Sequence, residues 1–79
     1  MGETIFDKVS DIISQQMNID KDTITLETEL EEDLHLDSLD LTEYVVFVEH
    51  EFDVDIPDEE MPKLKTVQDV VNYIEENLR

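Results

Sequence analysis

The side chains that could do chemistry gather around one serine. Ser38 follows His35 and Asp37, so a hydroxyl, an imidazole and a carboxylate lie close together in the chain. These are the residue types of a nucleophilic triad. A triad, however, needs its members to converge in space with the acid orienting the base. Neighbours on a helix-entry turn do not achieve that, and no glycine-flanked elbow surrounds the serine. Hydrolysis is not expected. Metal binding fares no better. Asp53-Val-Asp55 opens like a calcium loop, but Pro57 and Asp58 stand where the loop needs a ligand and a glycine, and Leu64 where it needs its bidentate glutamate. His35 and His50 lack neighbours at ligand spacing and read as surface residues.

Ser38 has another use. It begins the most apolar run of the chain, which places it at a helix N-terminus, where amides lack partners and the helix dipole is positive. A phosphodiester on its hydroxyl would sit in a favourable field. An ordinary N-cap serine or aspartate explains the same placement, so the pair Asp37-Ser38 by itself leaves both readings open.

The elements around this stretch follow from periodicity. Residues 4–17 are expected to form a helix, with Thr4 and Asp7 at capping-box spacing and Ile5, Phe6, Val9, Ile12, Ile13 and Met17 on one stripe. Asn18 can close it in a left-handed conformation. Residues 18–37 are a long connection, with Ile19, Ile24, Leu26, Leu30, Leu34 and Leu36 too irregular for one helix; they read as anchors pinning a loop across the bundle. A loop of that length in a small domain is usually functional, and this one leads into Ser38. Residues 38–53 form the second helix, with Leu41, Tyr44, Val45, Val48 and Phe52 facing the core. Pro57 and Pro62 leave residues 54–65 room for a short helix at most. Residues 67–78 form the last helix, capped by Thr66 and Asp69 and buried through Val67, Val70, Val71, Ile74 and Leu78. Lys63 and Lys65 are placed for surface ion pairs. With no credible strand or hairpin signal, the fold class is all-α: a four-helix bundle of three longer helices and one short third helix, after a long first loop.

A chain of 79 residues is read as a single domain, 1–79, of modest stability. It has no cysteine, no apolar run resembling a signal peptide and no stretch of membrane-spanning length, so a cytoplasmic location is expected. Five Lys+Arg against 23 Asp+Glu give a net charge of −18. Nucleic acid and anionic membranes would be repelled, and basic protein surfaces attracted. The outer face of the second helix sharpens this: Leu39 and Val46 lie opposite the core beside Glu43 and His50, with Asp40, Glu49 and Glu51 flanking. Such a surface suits a basic, partly apolar partner, although single exposed aliphatics are ordinary.

The stretch Leu30-Glu-Glu-Asp-Leu-His-Leu-Asp-Ser-Leu-Asp-Leu-Thr-Glu closely resembles the attachment-site motif of acyl carrier proteins. So do Phe52-Asp-Val-Asp-Ile-Pro-Asp-Glu-Glu downstream and Thr66-Val-Gln-Asp-Val-Val-Asn-Tyr-Ile near the end, which extends the resemblance over nearly the whole chain. Asp40 and the Ile-Pro-Asp-Glu-Glu segment resemble the fatty-acid-synthesis type more than peptidyl or D-alanyl carriers.

The resemblance implies a non-catalytic carrier in which Ser38 holds covalent 4′-phosphopantetheine, transferred from coenzyme A by a phosphopantetheinyl transferase, with Asp37 orienting it. It implies docking of fatty-acid-synthesis enzymes, through basic patches, onto Leu39, Asp40, Glu43, Val46, Glu49 and Asp58. It also implies an acyl-chain pocket lined by Val45, Val48, Met61, Leu64 and Val70, with Phe47 placed to narrow it. The carrier is expected to be monomeric. A carrier for another acyl or aminoacyl pathway, or a non-covalent acidic adaptor for basic proteins, remains the alternative. One departure stands beside the site: the family's usual glycine two residues before Asp37 is His35 here. A glycine there suits an unusual backbone angle or the close approach of a partner.

Overall fold

The computed structural model describes residues 4–78. Helix α1 (Ile5–Met17) begins at Thr4, whose hydroxyl accepts the Asp7 amide at 3.1 Å while the Asp7 carboxylate accepts the Thr4 amide at 3.2 Å. This reciprocal box satisfies amides that a helix start leaves open. Helices α2 (Ser38–Phe52) and α3 (Val67–Asn77) start with the same box, built from Asp37 with Asp40 and from Thr66 with Asp69. At the other end, α1 and α2 stop at a left-handed residue, Asn18 (φ 55°) and Asp53 (φ 54°). In each case that residue's amide and the next both return to one carbonyl, of Ser14 and of Glu49. Helix α3 ends one residue earlier than its periodicity suggests. Leu78 is its extended C-cap and 46% exposed, so it lies outside the buried stripe.

The short third helix is a 3₁₀ segment, Asp58–Lys63, set up by Pro57 and containing Pro62, which has no amide to donate. Lys63 pairs with Glu60 across one turn of it at 3.4 Å. A 3₁₀ turn at Lys21–Thr23 breaks the long first loop, with the Asp20 carboxylate accepting the Asp22 amide.

That loop is held by main-chain bonds to the start of α3 as well as by its side chains. The Leu30 amide donates to the Lys65 carbonyl at 2.9 Å, and the Val67 amide to the Thr28 carbonyl at 3.0 Å, forming an isolated antiparallel bridge between Glu29 and Thr66. The Gln68 amide donates to the Leu26 carbonyl at 2.9 Å. Leu26 thus anchors through its backbone while its side chain stays exposed, whereas Ile24, Leu30 and Leu36 are buried as expected.

The core joins Val9 and Ile13 of α1, Tyr44 and Val48 of α2, and Val67, Val70, Val71 and Ile74 of α3. Loop residues Ile24, Leu30, Leu36, Val54 and Ile56 close it, and α1 packs on both α2 and α3. Each such side chain contributes roughly 1.5–3 kcal/mol by leaving water.

The loop reaches Ser38 through a tight turn. The Asp33 and Leu34 amides both return to the Glu29 carbonyl, and the Leu36 amide reaches back to Leu30 at 3.2 Å. His35 makes the reversal between them at φ 57°, the left-handed region where glycine is free of Cβ strain. The chain therefore keeps a glycine-like backbone with a histidine in place. Because His35 is exposed, its replacement should act through backbone conformation rather than packing. His35→Gly is expected to change stability by less than about 1 kcal/mol, and His35→Val to lower it by about 1–2 kcal/mol. The difference is read from urea midpoints at unchanged slope.

Candidate functional site

Ser38 is the first residue of α2, and it is exposed. The capping role belongs to its neighbour. Asp37, in extended backbone, accepts the Asp40 amide on Oδ1 at 2.9 Å, and Asp40 Oδ2 accepts the Asp37 amide at 3.3 Å. The Asp37 carbonyl takes the Leu41 amide at 3.0 Å, and the Thr42 hydroxyl donates to the Ser38 carbonyl at 2.9 Å. The serine hydroxyl thus stays outside the cap. A catalytic reading of this cluster loses its acid, because the Asp37 carboxylate holds an amide instead of orienting an imidazole. Among the described residues no group of three or more histidine and carboxylate side chains is arranged to hold a metal ion.

The electrostatics at Ser38 are balanced. The positive end of the α2 dipole favours an anion, but the carboxylates of Asp37 and Asp40 already occupy part of that field. A phosphate on Ser38 would be presented outward, not gripped.

Along the outer face of α2, Leu39, Val46 and Phe47 are 68%, 46% and 42% exposed. Glu43 lies exposed among them, and Asp58 is exposed at the head of the 3₁₀ segment. Phe47 belongs to this outer face and not to the interior, so it does not narrow a pocket. Two of the expected docking carboxylates have structural work as well. Asp40 belongs to the cap, and half-buried Glu49 accepts the Ile56 amide on Oε2 at 2.8 Å, tying α2 to the chain that follows it.

Inside, Val45, Val48, Met61, Leu64 and Val70 come together as walls of one cavity between α2, the 3₁₀ segment and α3. Leu30, Leu41, Tyr44 and Ile56 complete it. Leu41 and Tyr44 were legible on the core face of α2. Leu30 was legible only as a loop anchor, since its place among these walls depends on how the loop crosses the bundle. The free space is about 20 Å³, room for about one water-sized sphere. An alkyl chain would enter only by parting the walls, of which Leu41, Val45, Met61 and Leu64 are half-buried.

Residues 7–74 match the family model described as "Phosphopantetheine attachment site". The chain belongs to that family. Its cofactor is therefore 4′-phosphopantetheine. The chain is 51% identical over 71 residues to the acyl carrier protein of Bdellovibrio bacteriovorus, covering 90% of this chain and 91% of the relative. It is 46% identical over 71 residues to that of Campylobacter lari, covering 90% and 92%. Among solved structures it is similar to the acyl carrier protein of Enterococcus faecalis, with 37% identity, a TM-score of 0.79 and 92% of each chain covered.

A phosphopantetheine attachment site needs an acceptor hydroxyl that an enzyme can reach, with room for a long flexible arm. The exposed Ser38 hydroxyl, free of the cap, fits that need.

Of the two tyrosines, Tyr73 packs against the core and Tyr44 lies within it. The Tyr73 hydroxyl donates to the Asp55 carbonyl at 2.8 Å, and partial desolvation followed by the carboxylates of Glu60, Asp55 and Glu49 raises its pKa. Tyr44 is 1% exposed, and its hydroxyl has no hydrogen-bond partner among the described residues. Burial raises its pKa well above the ordinary 10.0. The unfolded chain then releases this proton near pH 10 while the folded chain keeps it. Stability is therefore full below that pH and falls above it, by about 1.4 kcal/mol per pH unit for each such group. Tyr44→Phe removes both the unpaired hydroxyl and this alkaline loss. The variant is expected to be about 1–2 kcal/mol more stable at neutral pH, with a flatter melting profile above pH 10. Thermal melts across pH check both.

Proposed function

We propose that this protein carries acyl chains as thioesters on 4′-phosphopantetheine joined to the Ser38 hydroxyl, and shuttles them between enzymes of fatty acid synthesis in the cytoplasm. The observation that carries the assignment to Ser38 is the division of roles at the start of α2: Asp37 caps, and the exposed serine beside it is left available. Membership of the family and the name of the relatives, acyl carrier protein, support the carrier role.

The chain itself catalyses nothing. When bound, the group supplies the thiol that this cysteine-free sequence lacks. Ser38 provides the oxygen of the phosphodiester, Asp37 and Asp40 hold the helix start rigid beneath it, and Leu41 and Val45 offer an apolar wall at its side. The carried chain shelters behind Val45, Val48, Met61, Leu64 and Val70 once the 3₁₀ segment moves away from α2.

Its partners are a phosphopantetheinyl transferase and the synthesis enzymes, met by a monomer through their basic patches. The charge of −18 steers them. Leu39 and Val46 then make the apolar contact, with Glu43 on the same helix face and Asp58 at the head of the 3₁₀ segment as exposed carboxylates. Asp40 and Glu49 add charge while held in place by the fold. Contacts at such a rim set on-rate and specificity more than tight binding, which suits a shuttle that must let go.

Incubation with coenzyme A and a phosphopantetheinyl transferase should raise the intact mass by one phosphopantetheine group in the wild type and not in Ser38→Ala. An unchanged mass, or a gain that survives Ser38→Ala, would sink the assignment and favour a non-covalent adaptor. The docking surface has a separate test. Glu43→Lys should lower kcat/KM with a synthesis enzyme roughly tenfold at low ionic strength and less at high salt, with stability unchanged. Glu49→Lys should also cost about 1–3 kcal/mol of stability, because the Ile56 amide loses its acceptor. Kinetics indifferent to Glu43→Lys and to salt would refute the docking face.

A further inference from the structure

Of the five aromatic side chains in the sequence, four serve the core: Tyr44 lies in it, and Phe6, Phe52 and Tyr73 pack against it. Phe47 is the exception, 42% exposed on the outer face of α2. A ring left partly in water adds little to the fold, whereas aromatic side chains are enriched where proteins meet.

The neighbours of Phe47 indicate what it would meet. Glu43 and Glu51 stand one helical turn before and after it, at the spacing where side chains on a helix surface adjoin, and both are exposed. The Cα–Cβ bonds of a helix tilt toward its N-terminus, which carries the Phe47 side chain over the turn of Glu43. The Glu43 carboxylate has no hydrogen bond or ion pair among the described residues. The face of a phenyl ring is the negative part of its quadrupole, so the ring and this carboxylate together attract a cation.

The same helix already holds one cation in this way. The Lys8 ammonium lies 5.9 Å from the centre of the Phe52 ring and 4.0 Å from Glu51 Oε2. Both distances are at the outer limit of such contacts. An ammonium is a compact, strongly hydrated point charge. A guanidinium is planar, stacks flat on a ring and keeps N–H donors at its edge for a carboxylate.

Resting on the proposed carrier function, we infer that Phe47 and Glu43 receive one arginine of a partner enzyme, its guanidinium stacked on the ring and donating to the carboxylate. The charge of −18 brings a basic surface to this face, and the pair then fixes where along α2 it settles. Other occupants match the face less well. A purely apolar pocket would take Glu43 out of water without a partner. A second copy of this chain would bring a like charge of −18 against it.

The probe is the phosphopantetheinyl transferase, and the readout is kcat/KM for the gain of one phosphopantetheine group, followed by intact mass at low ionic strength. Phe47→Leu keeps an apolar side chain but removes the ring, and Phe47→Trp offers a better one. Phe47→Leu and Phe47→Ala should each lower kcat/KM about fivefold, while Phe47→Trp equals or exceeds the wild type. Among single Arg→Lys variants of the transferase's surface, one should show a similar loss that is not added to that of Phe47→Leu. The inference is overturned if Phe47→Leu keeps the wild-type value while Phe47→Ala loses it, the result expected of an apolar pocket. It is equally overturned if all three variants match the wild type, or if no Arg→Lys loss is coupled to Phe47. A wild-type chain that gains no mass, or a gain that survives Ser38→Ala, is a different result and removes the carrier reading together with this inference.

Discussion

The reciprocal cap between Asp37 and Asp40 decides what Ser38 can be. A serine directly before an apolar helix is a natural N-cap, and one that caps would have its hydroxyl turned back onto the helix amides. Here the aspartate before it takes that position, so the helix starts one residue earlier than a serine cap would allow and the hydroxyl is left in solvent. The same cap closes the turn that His35 and Leu36 make out of the long loop. Three constraints therefore meet within a few residues: a left-handed reversal, a capping box and an exposed nucleophilic oxygen. Disturbing either of the first two would move the third.

The loop before this turn has to be held, because it is long and crosses the bundle. Side-chain burial at Ile24, Leu30 and Leu36 does part of that work. Main-chain bonds from Leu26, Thr28 and Leu30 to the first residues of α3 do the rest. The Thr66 cap and the Glu29–Thr66 bridge occupy the same place, so the start of α3 and the approach to Ser38 are mechanically one unit. On the far side, among the described residues, the 3₁₀ segment has only short-range bonds and a proline inside it. The cavity thus has a firm floor on α2 and α3 and a weaker wall on the 3₁₀ segment.

Much of this was legible in the sequence. The helix stripes, the Thr4–Asp7 and Thr66–Asp69 boxes and the left-handed Asn18 all rest on local rules, in which spacing alone determines which groups meet. Non-local features were less legible. The attachment to α3 runs through the backbone of Leu26, Thr28 and Leu30, whose amides and carbonyls are the same in any residue. Leu26 therefore looked like a side-chain anchor when its carbonyl is what holds. Phe47 and Leu78 misled for a related reason. A helical wheel assigns a side, but exposure depends on how far neighbouring elements cover it, and Phe47 and the C-cap Leu78 remain 42% and 46% exposed. Tyr44 was placed correctly on the core face, yet periodicity treats tyrosine as an apolar ring and is silent about where its hydroxyl goes.

The acidic surface resolves into two populations. With 23 carboxylates against five basic side chains, self-repulsion works against the compact state, and the fold offsets part of it by giving some carboxylates amides to hold. Asp7, Asp37, Asp40 and Asp69 sit in helix caps, Asp20 and Asp33 order turns, and Glu49 holds Ile56. These charges lie where backbone N–H groups or a helix N-terminus favour an anion, so their presence stabilises local structure. Glu43 and Asp58 have no such bonds among the described residues, and Glu43 stands on the helix face of exposed Leu39 and Val46. Counting acidic residues on α2 therefore overstates the surface available to a partner, because reversing a charge at Asp40 or Glu49 disturbs the scaffold as well as the encounter. The carboxylates without such bonds are the ones whose charge can be read by another protein without cost to the fold.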